Sequence, residues 1–280
     1  MKVDLHIHTT ASDGSLSPAE LVEKAVSCQL DVIAITDHDT INGIIPALSA
    51  GNAWPQLKII PGVEISTDIP GSEVHILGYF IDYHYNELNS ELARLRLSRE
   101  GRAEKMVARL GELGLPIDYG RVLELANGGS IGRPHIAQAM FEKGYILAIH
   151  DAFDNYIGRN GPAYVEREKM TPEEAVDMIV EAGGLPVLAH PQEIGNFEGM
   201  LQQLIAHGLI GMEVYYGNYT PQVMNQLARI AEKHHLIATG GSDFHSDDGR
   251  AGAMLGSVNI PVESAQRLIA LAEKRRLIIK

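Results

Sequence analysis

The regular alternation of short β-rich runs with amphipathic stretches is the feature that most constrains the fold of this chain. Such alternation is typical of repeated βα units rather than of a sandwich, so we predict an α/β fold with a parallel sheet. Residues 17–20 and 171–174 each place a hydroxyl residue, a proline and a glutamate in the order of a capping box, and predict helix starts. Residues 220–221 predict the start of a third helix that runs to about residue 234, and Pro261 predicts the start of the last helix. The predicted strands are 3–8, 31–37, 57–64, 73–80, 185–190, 209–215 and 236–243.

The alternation is interrupted between residues 84 and 160, where the pattern is helical throughout. We predict that this segment is a helical insert forming a substrate-binding lid on a barrel made of residues 1–83 and 161–280. The insert contains ten Lys and Arg and ten Asp and Glu, so the net charge of −13 belongs entirely to the barrel. The predicted insert helices are 86–113, 119–126, 134–143 and 148–155.

Six of the twelve histidines, together with three carboxylates, lie at or just beyond the ends of predicted strands. Alternate residues of a strand point to the same side, so His6 and His8 form a pair, and Asp243 and His245 repeat that spacing. Parallel βα architectures bring the carboxyl ends of their strands to one rim, and we expect the nine side chains to converge there. They are His6, His8, Asp13, His38, Glu64, His75, His190, Asp243 and His245.

This set of nitrogen and oxygen ligands predicts a metal site. Six imidazoles and three carboxylates exceed what one ion can use, and suit two or three divalent ions if a carboxylate bridges them. Manganese, iron and zinc all accept such ligands, whereas the single cysteine, Cys28, excludes a cysteine-rich zinc site. Taken alone, a histidine such as His75 is more simply a buried core residue, and only the convergence of nine ligand types favours the metal.

Six short motifs resemble those of the PHP family, the polymerase and histidinol phosphatase phosphoesterases. They are DLHIHT at 4–9, TDHD at 36–39, GVE at 62–64, VH at 74–75, AHP at 189–191 and GSDFH at 241–245. The resemblance spans almost the whole chain and implies a distorted (βα)7 TIM-like barrel with three divalent ions, manganese being expected first. The implied ligand groups are His6, His8, Glu64 and Asp243; Glu64, His75 and His190; and Asp13, His38 and His245.

The insert and the GRPH sequence at residues 132–135 resemble a branch of that family that removes the 3′-phosphate from nucleoside 3′,5′-bisphosphates. The resemblance therefore implies a phosphoric monoester hydrolase that forms a nucleoside 5′-monophosphate, with the nine ligands as its catalytic residues. Asp13 and His38 are expected to contact the substrate as well. Metal coordination lowers the pKa of water to about 7, so the predicted nucleophile is a hydroxide that bridges the ions.

Four residues of the insert are predicted to bind substrate phosphate. Arg99 and Arg102 lie one helical turn apart, and Arg133 and His135 lie at the start of a helix, where anions are favoured. The alternative for the first pair is a solvated helix face paired with nearby glutamates. The alternative for Arg133 is an ordinary loop residue before a helix.

Other functions are compatible with the same metal residues. Some members of that branch also act as 5′-to-3′ exonucleases on short RNA, and histidinol phosphate is an alternative substrate. A non-catalytic module that binds nucleotide or metal is a further alternative, although the complete ligand set argues against it.

The net charge disfavours long nucleic acid, so we expect a small nucleotide partner and short oligonucleotides at most. The apolar runs are of strand length, which predicts no membrane partner. We expect a cytoplasmic location, because the N-terminus lacks a signal-like apolar stretch.

Overall fold

The computed structural model describes residues 1–69, 72–166, 170–194, 197–247 and 253–278. Within them, seven strands form one sheet in the order β1 to β7, and a hydrogen bond from Leu5 N to Gly240 O links its two edges. The α/β barrel prediction is therefore confirmed. The strands are β1 (Val3–Asp4), β2 (Val32–Ile35), β3 (Lys58–Ile69), β4 (Ser72–Tyr79), β5 (Leu185–Leu188), β6 (Gly211–Tyr216) and β7 (Ile237–Gly241).

The helices lie where the cap signals and the apolar periodicity predict, with two additions, α2 and α8. Ser17 and Thr171 both form capping boxes, with Glu20 and Glu174 respectively. In chain order the helices are α1 (Pro18–Ser27), α2 (Ile44–Gly51), α3 (Asn86–Glu112), α4 (Tyr119–Ala126), α5 (Arg133–Glu142), α6 (Ile149–Ala152), α7 (Pro172–Glu181), α8 (Phe197–His207), α9 (Pro221–Lys233) and α10 (Val262–Ile278). A π-helical turn, Phe153–Ile157, follows α6.

The prediction of an entirely parallel sheet is wrong at β4, which is antiparallel to both β3 and β5. Strands β3 and β4 form a hairpin, because the chain between Ile69 and Ser72 is too short for the crossover that parallel strands require. The start of β4 therefore lies at the same rim as the carboxyl ends of the strands that are parallel to one another. His75 reaches that rim from the beginning of a strand rather than from its end.

Helix α3 connects two separate apolar cores. Its first half contributes Leu88, Leu92 and Leu95 to a core shared with β3, β4 and the helices around them. Its second half contributes Met106 and Leu110 to a core that otherwise consists of residues from 103–163. The helices between residues 86 and 152 thus pack around an apolar core of their own. None of the helices in the described part of the chain combines the length and hydropathy that a membrane-spanning segment requires.

Candidate metal centre

The carboxylate of Glu64, in β3, lies at the middle of the predicted site. It is buried, and it contacts five histidines that come from four different parts of the barrel. The contacting atoms are His6 Nε2 at 3.1 Å, His8 Nε2 at 3.2 Å, His38 Nδ1 at 3.0 Å, His75 Nδ1 at 2.8 Å and His190 Nε2 at 3.2 Å. Both carboxylate oxygens are used, so Glu64 is placed to bridge neighbouring ions, as the resemblance implies.

The other two carboxylates lie on either side of this centre. Asp243 Oδ1 is 3.2 Å from His6 Nε2 and 3.0 Å from His8 Nε2. Asp13 Oδ1 is 3.4 Å from His245 Nε2. The structure thus brings all nine predicted residues together, and their role as metal ligands stays a prediction.

Three groups of these side chains have ligand atoms that all lie within 4.8 Å of one another. The first group is the one that the resemblance implies for one ion. The second brings His38 to Glu64 and His75, whereas the resemblance implies His190 there. His8 joins the third group, so it lies between two sites. The groups are His6, His8, Glu64 and Asp243; His38, Glu64 and His75; and His8, Asp13, His38 and His245.

Polar atoms of this centre lack the hydrogen bonds that burial normally demands. Five buried atoms receive no hydrogen bond from any described residue: His6 Nε2, His8 Nε2, Asp13 Oδ1, His38 Nδ1 and Glu64 Oε2. Buried polar atoms are almost always paired, and unpaired ones cost free energy. Divalent cations bound by the groups of ligand atoms given above would satisfy these nitrogens and oxygens, so the residues present fit metal ions.

The protonation of the site points the same way. Burial lowers the pKa of His38 to about 4, which keeps its imidazole neutral and able to ligate. Burial would also lower the pKa of His8, but the nearby carboxylates of Asp243 and Glu64 outweigh this and raise the pKa to about 10. The carboxylates therefore draw a positive charge into the centre, and a metal ion would supply that charge in place of the proton on His8.

Two buried side chains that the sequence analysis missed orient these residues. Glu213, in β6, accepts from the backbone N–H of His190 at 2.9 Å, and its Oε1 lies 3.1 Å from His6 Nδ1. This contact turns His6 Nε2 towards Glu64 and Asp243. Tyr216, which is 4% exposed, donates to Asp243 Oδ2 at 2.7 Å.

Asp243 has a left-handed backbone conformation with φ of 52°. This conformation costs energy for a residue with a side chain, and it occurs mainly where the surrounding structure enforces it. The buried Asp4 fixes the chain on both sides, because its carboxylate accepts from the N–H of Ser242 at 2.9 Å and of Gly256 at 2.8 Å. The strained loop therefore directs the Asp243 carboxylate into the centre.

A cavity of about 160 Å³ extends from the metal centre to the insert. On one side it is lined by predicted ligands and on the other by arginines of α3 and α5. The lining includes Asp13, His38, His245, Arg99, Arg102 and Arg133. A small anion in this cavity would lie between the predicted metal centre of the barrel and the arginines of the insert.

Arg99 and Arg102 do not form a solvated helix face. Their side chains are 10% and 8% exposed. Arg99 Nε donates to Asp39 Oδ2 at 2.6 Å, and its Nη2 donates to Ser66 Oγ at 2.6 Å. Burial would lower the pKa of Arg99, but Asp39 outweighs it and raises the pKa above its ordinary value. The guanidinium is therefore fixed and charged at the cavity wall.

The remaining predicted phosphate ligands lie at or next to the same wall. Arg102 Nε donates to the carbonyl oxygen of Val165 at 2.7 Å, and Arg133 donates to the carboxylate of Glu73. His135 Nδ1 accepts from the N–H of Gly132 at 3.0 Å. Burial lowers the pKa of His135, so the imidazole is neutral and carries its proton on Nε2. His135 is thus a hydrogen-bond donor through Nε2.

Histidine and carboxylate clusters at the mouth of an α/β barrel, beside an arginine-lined cavity, define a metal-dependent phosphoesterase. The family described as the PHP domain matches residues 4–232 of this chain. The chain therefore belongs to the PHP family, as its motifs predict.

Several relatives of this chain have assigned activities. The chain is 40% identical over 248 residues to the 5′-3′ exoribonuclease Rnm of Salmonella typhimurium. The matched region covers 86% of this chain and 84% of the relative. It is 33% identical over 249 residues to the 3′,5′-nucleoside bisphosphate phosphatase of Chromobacterium violaceum, with 87% of each covered. Both similarities extend over the barrel and the insert.

A solved structure shares this architecture. It is a Bifidobacterium adolescentis protein with a provisional assignment as a metal-dependent phosphoesterase. The two chains are 31% identical and superpose with a TM-score of 0.87, over 96% of this chain and 95% of the other. The architecture therefore extends through nearly all of both chains.

Proposed function

We propose that this protein hydrolyses the 3′-phosphate of nucleoside 3′,5′-bisphosphates. The observation that carries this proposal is the single cavity that touches both the metal centre and the insert arginines. A substrate with two phosphates separated by a ribose can place one at each end of such a cavity. The similarity to the Chromobacterium violaceum phosphatase supports this substrate.

The three groups of ligand atoms would each hold one divalent ion, so we propose three ions per chain, with manganese first and iron or zinc as alternatives. Bound ions would supply a water of low pKa and neutralise charge on the phosphate. The donor set consists of imidazoles and carboxylates, which several divalent ions accept. Metal analysis of protein purified without chelators tests this number and identity.

The side chains of the insert and the barrel have separate tasks in this reaction. Arg102 and Arg133 bind the 5′-phosphate. Arg99 is held in place by its hydrogen bonds to Asp39 and Ser66. His135 Nε2–H donates to a phosphate oxygen. Water adds to phosphorus, the P–O3′ bond breaks and the 3′ oxygen leaves with a proton, which gives a nucleoside 5′-monophosphate and phosphate.

The size of the cavity favours small substrates. Ligand sites usually occupy roughly 300–1,000 Å³, and the cavity here has about 160 Å³. It can enclose the phosphates and part of the ribose, so the base would lie at the opening. Together with the charge of −13, this argues for mononucleotides, short oligonucleotides at most, and no long nucleic acid as partners.

The second candidate is a 5′-to-3′ exonuclease on short RNA, favoured by the 40% identity to the Salmonella typhimurium enzyme. The first nucleotide of a 5′-phosphorylated RNA is itself a 3′,5′-bisphosphate whose 3′-phosphate is esterified. The same P–O3′ bond breaks in both reactions. The two functions differ only in whether the metal end of the cavity admits the next nucleotide.

The test compares kcat/KM of the metal-loaded protein on four substrates: a nucleoside 3′,5′-bisphosphate, the 3′-monophosphate, a 5′-phosphorylated dinucleotide and histidinol phosphate. We expect the bisphosphate to exceed both the 3′-monophosphate and histidinol phosphate by at least about tenfold, since charge-assisted hydrogen bonds to one phosphate contribute this much. A dinucleotide that is hydrolysed faster than the bisphosphate would instead establish the exonuclease. Equal rates on the bisphosphate and the 3′-monophosphate would overturn the proposal.

A further inference from the structure

Glu73 lies at the arginine end of the cavity, two residues before His75 in β4. Alternate residues of a strand point to the same side, so Glu73 shares the cavity face with His75. Its carboxylate accepts from Arg133, and its Oε1 lies 3.8 Å from Arg102 Nη2. One carboxylate therefore occupies the place between two arginines that come from different helices of the insert.

The hairpin register adds a second charge to this region. Glu73 pairs directly with Asp68 of β3, so the two carboxylates lie side by side on one face of the hairpin. Asp68 is bonded to Arg159, and Glu73 contacts the other two arginines. Any anion that takes Arg102 and Arg133 away from Glu73 must therefore overcome their attraction and leave two like charges adjacent.

We propose that Glu73 is an internal competitor for the 5′-phosphate, which the substrate displaces from Arg102 and Arg133 when it binds. This inference rests on the proposed function. A phosphate dianion carries twice the charge of a carboxylate and presents three oxygens, so it can replace Glu73 between the two arginines. Ligands without a 5′-phosphate leave the contacts of Glu73 in place.

The consequence of this competition is faster release of product. The nucleoside 5′-monophosphate retains the phosphate that the arginines hold, and it would dissociate slowly from two uncompensated guanidinium groups. Binding energy that is equal for substrate and product does not accelerate the reaction. Glu73 lowers the affinity for both, and its return to the arginines expels the product.

The experiment uses Glu73→Gln, which removes the charge and keeps the shape. Dissociation constants for a nucleoside 5′-monophosphate and a nucleoside 3′-monophosphate are measured by calorimetry on the metal-loaded protein. We expect the 5′-monophosphate to bind about tenfold more tightly, as for the gain of one charge-assisted hydrogen bond, and the 3′-monophosphate to bind as before. Product inhibition should strengthen by the same factor.

Glu91→Gln is the matched control, because Glu91 pairs with Arg94 on the same helix and does not line this cavity. It changes the net charge equally, and both affinities should stay unchanged. If Glu73 only aligns the arginines, Glu73→Gln will weaken 5′-monophosphate binding, and that result overturns the proposal, as does an unchanged affinity. Should Glu73→Gln fail to fold, Glu73→Asp, whose shorter side chain cannot reach both arginines, should show a smaller tightening, and no tightening overturns the proposal.

The outcome separates this inference from the proposed function. Tighter binding of the 5′-monophosphate without hydrolysis of the bisphosphate would overturn the proposed function and retain the role of Glu73. Rapid hydrolysis of the bisphosphate, with an affinity for the 5′-monophosphate that Glu73→Gln leaves unchanged, would retain the proposed function and overturn the role of Glu73.

Discussion

At the mouth of the barrel, buried histidines and carboxylates face one another at about 3 Å, and several of their atoms have no hydrogen-bond partner among the described residues. In the insert, by contrast, arginines that reach the same cavity are paired: Arg99 with Asp39, and Arg133 with Glu73. Bound cations would supply partners for the polar atoms of the metal centre. The arginines of the insert already have carboxylate partners, which a bound anion would have to displace. Under the proposed function, this difference would place the chemistry in the barrel and the choice of substrate in the insert.

The largest effect should follow from breaking the barrel side at its centre. Glu64→Gln removes the charge that contacts five histidines, and we expect loss of bound metal and a fall in kcat/KM well beyond the roughly 100-fold cost of altering a residue that only supports a ligand. The fall should be equal for the 3′,5′-bisphosphate and the 3′-monophosphate, because both use the centre. Elemental analysis and kinetics on both substrates provide the measurement. A variant that retains its metal and its activity would contradict the assignment of Glu64 as the bridge.

Breaking the insert side should affect the two substrates unequally. Arg133→Gln should lower kcat/KM for the bisphosphate by about 10- to 100-fold, since one charge-assisted contact is lost. The 3′-monophosphate should be hydrolysed as before, and the metal content should not change. Arg121→Gln is the control, because Arg121 is exposed and bonded to Glu124 and Glu142 away from the cavity. A parallel decline on both substrates would show that the insert does not select.

A residue that orients predicted ligands offers a more selective test of the metal centre. Glu213 is 0% exposed. In the hydrogen bonds described above, its partners are the imidazole of His6 and the backbone N–H of His190, and both residues are predicted ligands. Glu213→Gln should weaken metal binding by about 10- to 100-fold, as removal of such a partner commonly does. The ratio of kcat/KM between the two substrates should stay constant at saturating metal. Unaltered metal affinity in a titration would show that His6 does not depend on Glu213.

The smallest effect should come from a residue that belongs to neither region. Ser17→Ala removes the helix cap of α1 and should lower the free energy of unfolding by about 1 kcal/mol. Metal content, kcat and KM should match the unaltered protein, because α1 packs on the outside of the barrel. The value is read from denaturant titration. Any accompanying loss of metal would indicate that the barrel transmits strain from its surface to the centre.

The sequence predicts the order of the seven strands and the convergence of the nine residues well, because period-two apolar runs and histidine pairs are local signals. The first strand is shorter than the predicted 3–8: it ends at Asp4, so His6 and His8 lie beyond it. The reversal of β4 was open to prediction, since Pro70 and Gly71 between two strand-like runs form a turn signal. The alternation of side chains could likewise have placed Glu73 beside His75.

Other features depend on contacts between distant segments. Glu213 lies in an otherwise apolar strand, which indicates that it is buried with a partner, but nothing local identifies His6 as that partner. The pairing of Arg99 with Asp39 joins residues 60 positions apart. Helix α2 begins at Ile44, and Gly43 before it provides no side-chain cap, so the helix lacks the start signal that marks α1.

The continuity of α3 carries a consequence for how this enzyme can vary. The helix has 27 residues and so extends about 40 Å, with Leu95 anchored in the barrel core and Met106 in the insert core. Inserting or deleting one residue between Leu95 and Arg102 would rotate the distal half by about 100° relative to the barrel core and turn Arg102 away from the cavity. The number of residues in this helix therefore fixes the direction in which Arg102 points. Residues on α3 can be substituted during evolution more easily than the helix can be lengthened or shortened.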